Sequence, residues 1–129
     1  MVPVRTLLVV DDDPDIRRIA ALSLERIGGF RVTLAASGEE AIDHATRDPP
    51  DLVLLDVSMP GTDGTATLAA LRAHAPTAGV PVVFFTALVS EDEIARLRSL
   101  GALGVVHKPF DVVTLPVRIR DMLSAAGLD

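Results

Sequence analysis

The sequence predicts a doubly wound α/β domain, a five-stranded parallel sheet with helices on both faces, and three observations predict it. Short Val/Leu runs lack the polar alternation of a one-faced sheet, so the strands are buried on both sides, as in parallel sheets between two helix layers. These runs alternate with amphipathic stretches at a spacing that suits right-handed βαβ crossovers. Four of the five runs end in polar residues, and an open parallel sheet binds its ligand outside the carboxyl ends of its strands.

Each element has a local reason. Thr6 to Val10 reads as a buried strand running into Asp11-Asp12-Asp13. Pro14 suits the first turn of a helix and Asp13 its cap, and Ile16, Ile19, Ala20, Leu24 and Ile27 give that helix one buried stripe before Gly28-Gly29 ends it. Phe30 to Ala35 is the second strand and ends without a polar group. Ser37-Gly38-Glu39-Glu40 is a capping box that opens a helix to about Thr46, ahead of Pro49-Pro50. Asp51 to Leu55 is the third strand, with Asp56 at its end. After a loop from Val57 to Asp63, Gly64 to His74 is a helix with Leu68 and Leu71 inward. Val80 to Phe85 is the fourth strand, followed by Thr86. Ser90-Glu91-Asp92-Glu93 caps the next helix, whose apolar positions are Ile94, Leu97 and Leu100. Gly104 to His107 is a short fifth strand that Lys108 closes. The last helix carries Val117, Ile119, Met122 and Leu123; Pro116 inside it would remove a hydrogen bond and clash, so it must start near Thr114 or Leu115, with Pro116 in its first turn.

Composition bounds the function. With 129 residues the chain is the size of one domain, residues 1–129, with a real core. It is 49% hydrophobic but 3% aromatic, so that core must be built from Val, Leu, Ile and Ala. A net charge of −6 argues against a general grip on nucleic acid. No stretch reaches the length of a transmembrane helix, and the N-terminus lacks the order of a signal peptide. The absence of cysteine removes disulfide frameworks and thiolate zinc sites. The expectation is a soluble, acidic, cytoplasmic domain with no direct nucleic-acid or membrane partner.

Lys108 is the single lysine beside eleven arginines. Lysine is a compact point charge on a flexible stem, able to reach one phosphoryl or carboxylate oxygen where the wide arginine fork does not fit. With strands one, three, four and five as neighbours, Asp11, Asp12, Asp56, Thr86 and Lys108 converge on one cleft. Three carboxylates in one pocket repel each other, and a divalent hard cation or protonation relieves them. Mg²⁺ suits oxygen ligands and keeps waters that a phosphate oxygen can replace. Asp13 reads as a cap, Asp63 before Gly64 as a cap or turn residue, His107 as a surface residue, and His44 and His74 as solvated.

These pieces together resemble a response-regulator receiver domain, the type found in the chemotaxis regulator and in two-component signalling. The resemblance lies in Leu7 to Val10 leading into Asp11-Asp12, in Asp56-Val57-Ser58-Met59-Pro60-Gly61-Thr62-Asp63-Gly64, in Thr86-Ala87, and in Lys108-Pro109-Phe110. It covers essentially the whole chain and implies a flavodoxin-like sheet of order 2-1-3-4-5. It implies that Asp56 accepts a phosphoryl group from a phosphohistidine of a sensor histidine kinase or phosphotransfer protein. Asp12 and Asp56 would ligate Mg²⁺ with the carbonyl of Ser58, and Asp11 would act through a metal-bound water. Thr86 and Lys108 would each meet a phosphoryl oxygen, and the Lys108-Pro109 bond would be cis. Such a domain catalyses its own phosphorylation and dephosphorylation and is otherwise no enzyme. It switches a downstream protein target through its fourth helix, fifth strand and fifth helix, as a monomer or weak homodimer.

The chain departs from the family where many receivers carry an aromatic three residues before the lysine. Val105 stands there, and a stiff valine cannot swing a large ring. Output is therefore expected to depend on the loop after Thr86 and on the fourth helix. Ser58 and Leu88 occupy the positions that tune phosphoryl lifetime in the family. Gly127-Leu128-Asp129 look like a helix end, which favours a stand-alone receiver over a piece of a longer protein. Two other functions compete. A small Mg²⁺-dependent phosphatase with an Asp nucleophile would place a second acid where Ser58 stands, and serine is a poor general acid. A phosphorylation-independent interaction module would have no need of the complete polar set.

Overall fold

The computed structural model describes residues 5–59, 61, 63–87 and 90–128. Five parallel strands form one sheet: β1 (Thr6–Val10), β2 (Arg31–Ala35), β3 (Leu52–Asp56), β4 (Val82–Thr86) and β5 (Gly104–His107), in the order β2-β1-β3-β4-β5. The helices are α1 (Pro14–Leu22), α2 (Gly38–Arg47), α3 (Gly64–Ala73), α4 (Glu91–Ser99) and α5 (Leu115–Ala125). This is the expected doubly wound architecture and strand order.

Period-two alternation splits the strands between two cores. Leu8, Val10, Val53, Leu55, Val82, Phe84 and Val105 face α2, α3 and α4, where Ala41, Ala45, Leu68, Leu71 and Leu97 meet them. Leu7, Val9, Leu52, Leu54, Val83, Phe85 and Val106 face α1, the turn that continues it, and α5, where Ala20, Leu24, Leu115, Ile119 and Leu123 close the layer. β3 and β4 are buried along their whole length, which is why their sequences are apolar runs.

The caps fall where expected. Asp13, Ser37, Asp63 and Ser90 each accept a backbone N–H in the first turn of α1, α2, α3 and α4. Pro116 lies in the first turn of α5, which starts at Leu115.

Several expectations need correction. β2 starts at Arg31, one residue late, because the Phe30 N–H donates to the Leu24 carbonyl as the end of the preceding helix closes. β4 starts at Val82 because the Val80 N–H closes the preceding turn onto the Thr77 carbonyl and Pro81 has no N–H to give the ladder. The stripe expected on the first helix is only partly buried: Ile19 is 41% and Ile27 50% exposed. α1 is continued by a π-helical turn, Ser23–Ile27, whose extra residue per turn rotates Ile27 outward and buries Ser23 and Leu24. Leu100 caps α4 and is exposed, and Val117 is exposed because α5 buries the row Leu115, Ile119 and Leu123. His74 and His107 are exposed, whereas His44 is half-buried beside Glu40 at 3.9 Å.

Candidate phosphoacceptor site

Sheet register assembles the site. Val10 is level with Leu55, Asp56 with Phe85, and Thr86 with His107, so the carboxyl ends of β1, β3, β4 and β5 lie side by side. Ladder hydrogen bonds continue one residue past the strands: Asp11 N–H to Ala35, Val57 N–H to Phe85 and Lys108 N–H to Thr86, at 3.1, 3.0 and 2.8 Å. The residues that leave the sheet therefore leave it in fixed directions. The backbone geometry at the last of these includes a cis Lys108-Pro109 bond, as expected.

The structure brings together the whole predicted set. Asp11, Asp12, Asp56, Ser58, Thr86 and Lys108 line one cleft of about 340 Å³. Lys108 Nζ lies 2.6 Å from Asp11 Oδ2 and 3.3 Å from Asp56 Oδ1. Asp11 Oδ1 accepts the Asp13 N–H, and Asp56 Oδ1 accepts the Ser58 N–H. Asp11, Asp56 and Thr86 are buried, while Asp12 is exposed at the mouth. Burial, and then the like charge of Asp11, push the Asp56 carboxyl above the ordinary carboxylate range, against the opposing pull of Lys108 and the Ser58 N–H. Burial by itself would lower the Lys108 ammonium, but its hydrogen bond to Asp11 and the charges of Asp11 and Asp56 outweigh it, so it is raised.

Carboxylate oxygens of Asp11, Asp12 and Asp56 lie within 4.8 Å of one another. Three hard oxygen donors, open to water on the Asp12 side, fit Mg²⁺ and offer nothing to a soft metal. Leu88, and Pro60 and Thr62 of the loop motif, lie outside the described residues.

Three positions that matter here were not singled out for a role from sequence. Arg17 Nη1 donates to the Asp11 carbonyl at 2.7 Å and so steadies the β1–α1 turn. Gly64 brings α3 so close that a Cβ there would lie 2.3 Å from the Asp56 carbonyl oxygen. Phe85 sits under Lys108, 5.6 Å from ring centroid to Nζ. The signal for Gly64 was its place directly after the capping Asp63; nothing in the sequence marks the other two.

The family model for the response regulator receiver domain matches residues 7–120. The chain is similar to the probable transcriptional regulatory protein TcrX of Mycobacterium tuberculosis, at 39% identity over 95% of this chain and 51% of that protein. It is also similar to the transcriptional activator protein PfeR of Pseudomonas aeruginosa, at 37% identity over 99% of this chain and 41% of that one. The chain thus spans about half the length of the relatives it matches. Among solved structures, chemotaxis protein CheY4 of Vibrio cholerae superposes with a TM-score of 0.86 at 29% identity, covering 93% of this chain and 99% of that one. The N-terminal domain of a response regulator receiver protein from Methanoculleus marisnigri gives 0.74 at 37% identity, covering 92% and 96%. The protein belongs to the response regulator receiver domain family, the phosphorylation-controlled signalling module of two-component systems.

Proposed function

We propose that Asp56 is the phosphoacceptor and that the cleft around it moves a phosphoryl group from a phosphohistidine of a sensor kinase or phosphotransfer protein. An Asp56 carboxylate oxygen attacks phosphorus, the P–N bond breaks, and the histidine leaves with the bonding electron pair. Such transfers need position and charge stabilisation more than covalent help. The observation that supports this reading most is the Lys108 ammonium set between Asp11 and Asp56. It stands ready to exchange a carboxylate for a phosphoryl oxygen.

Asp12, Asp56 and the Ser58 carbonyl would hold Mg²⁺, with Asp11 acting through a bound water. The ion supplies charge neutralisation for the phosphoryl oxygens. Thr86, at the end of β4, offers its hydroxyl to the transferred group. The acyl phosphate carries nearly two negative charges where the carboxylate carried one, and it brings three acceptor oxygens beside Thr86 and Ala87, which biases the segment leading to α4. Val105 is packed into the sheet face with Leu97 and reports nothing by a ring swing. The downstream protein is therefore met through α4, with β5 and α5 completing the surface.

Labelling with acetyl phosphate tests the assignment. We expect one stable, Mg²⁺-dependent adduct per chain, lost in Asp56→Asn. Repeated turnover of a small phosphomonoester would replace this reading with the phosphatase. Labelling that survives in Asp56→Asn would move the acceptor elsewhere.

A further inference from the structure

We propose that Phe85 is a positioning residue for phosphoryl transfer, holding the Lys108 ammonium in the cleft against the face of its ring. The inference rests on the reading of Lys108 as the group that meets the phosphoryl oxygens. Phe85 is fully buried in β4, level with Asp56 across the sheet. The Lys108 Nζ lies 5.6 Å from its ring centroid, within the range of a cation–π attraction. Phe110 stacks on the same ring at 5.3 Å with planes 16° apart, which fixes the ring's orientation. The backbone fixes the other partner, because the Lys108 N–H is bonded to the Thr86 carbonyl, one residue beyond Phe85.

The chemistry assigns the ring a task that the carboxylates cannot perform. A ring face attracts a cation without using any of its three N–H donors. The contact to Asp56 must be exchanged when Asp56 carries a phosphoryl group, whereas the ring contact has no reason to change. Phe85 therefore keeps the ammonium in place while that oxygen partner is exchanged.

Because Lys108 is the only lysine, protein labelled at lysine gives one set of side-chain NMR signals. In Phe85→Leu we expect faster motion of the Lys108 ε-methylene and a fall of about threefold to tenfold in the rate of labelling by acetyl phosphate. Calorimetric Mg²⁺ binding should be unchanged, and in a Lys108→Ala background the same substitution should have no further effect on rate. Phe85→Met, an unbranched filler of the same space, serves if the leucine variant does not fold. Unchanged Lys108 motion, or an equal fall in rate in the Lys108→Ala background, would overturn the proposal. If the parent protein takes no label at all, the phosphoacceptor assignment fails, and the Lys108 signals still decide whether the ring holds the ammonium.

Discussion

At the scale of single residues, Asp56 is built for reactivity at the expense of stability. Its carboxylate is buried beside that of Asp11, with one ammonium between two acids. An uncompensated buried charge is costly, and here two negative groups share a single partner. Asp56→Asn keeps the side chain's shape and its acceptor for the Ser58 N–H while removing one charge. We expect the metal-free variant to melt a few degrees above the parent and to take no label from acetyl phosphate. A melting temperature below the parent's would mean that the Lys108–Asp56 pair outweighs the repulsion. Asp56 was legible in the sequence because an acid ending an apolar run has no place in a core. Phe85 was not, because a buried phenylalanine at the end of an apolar run looks like packing until Lys108 is placed over it.

At the scale of elements, close approach matters more than propensity. Gly64 stands in the first turn of α3, where alanine is the better helix former by about 1 kcal/mol. Yet a Cβ there would meet the Asp56 carbonyl oxygen at 2.3 Å and the Val57 Cα at 2.9 Å, both backbone atoms with little freedom to move. Forced overpacking costs typically about 1–3 kcal/mol, so the clash wins. Gly64→Ala is expected to lose about that much in chemical denaturation and to label more slowly, since α3 must shift away from the end of β3. A stabilised variant with normal labelling would show that α3 yields freely. Element types, caps and the late start of α5 were readable because each has a local cause. The π-helical turn Ser23–Ile27 was not, since its register is set by distant partners: Ser23 donates to the Val112 carbonyl, and Arg120 donates to the Gly28 carbonyl and covers Phe30. The exposure of Ile27 follows from that turn.

At the scale of the whole molecule, the sheet has a reactive end and a tied end, and they respond oppositely to charge. At the tied end Asp51 Oδ2 accepts from the Arg5 and Thr6 N–H groups and from the Thr6 hydroxyl, fixing the start of β1 to the start of β3. Burial alone would raise the Asp51 carboxyl, but these hydrogen bonds outweigh it and hold it below the ordinary value of 3.8. A depressed folded value means stability that is fully present above about pH 4 and is lost as the pH falls through the folded value. Asp51→Asn should therefore melt below the parent near neutral pH, with the gap closing toward pH 2; a gap independent of pH would refute the linkage. At the reactive end a bound metal ion governs the response. A cation that binds the folded cleft alone stabilises by mass action, about 2.7 kcal/mol at a hundredfold excess over its Kd. We expect Mg²⁺ to raise the melting temperature and a chelator to reverse it. Asp12 is exposed, so Asp12→Asn should leave the metal-free melting temperature nearly unchanged while shrinking the Mg²⁺ response. A full response in both Asp12→Asn and Asp56→Asn would place the ion elsewhere. A response present in Asp12→Asn but absent in Asp56→Asn would make Asp56 the main ligand. The two ends together make the domain a scaffold held taut at one end of its strands so that repulsion can be concentrated at the other, where a cation or a phosphoryl group relieves it.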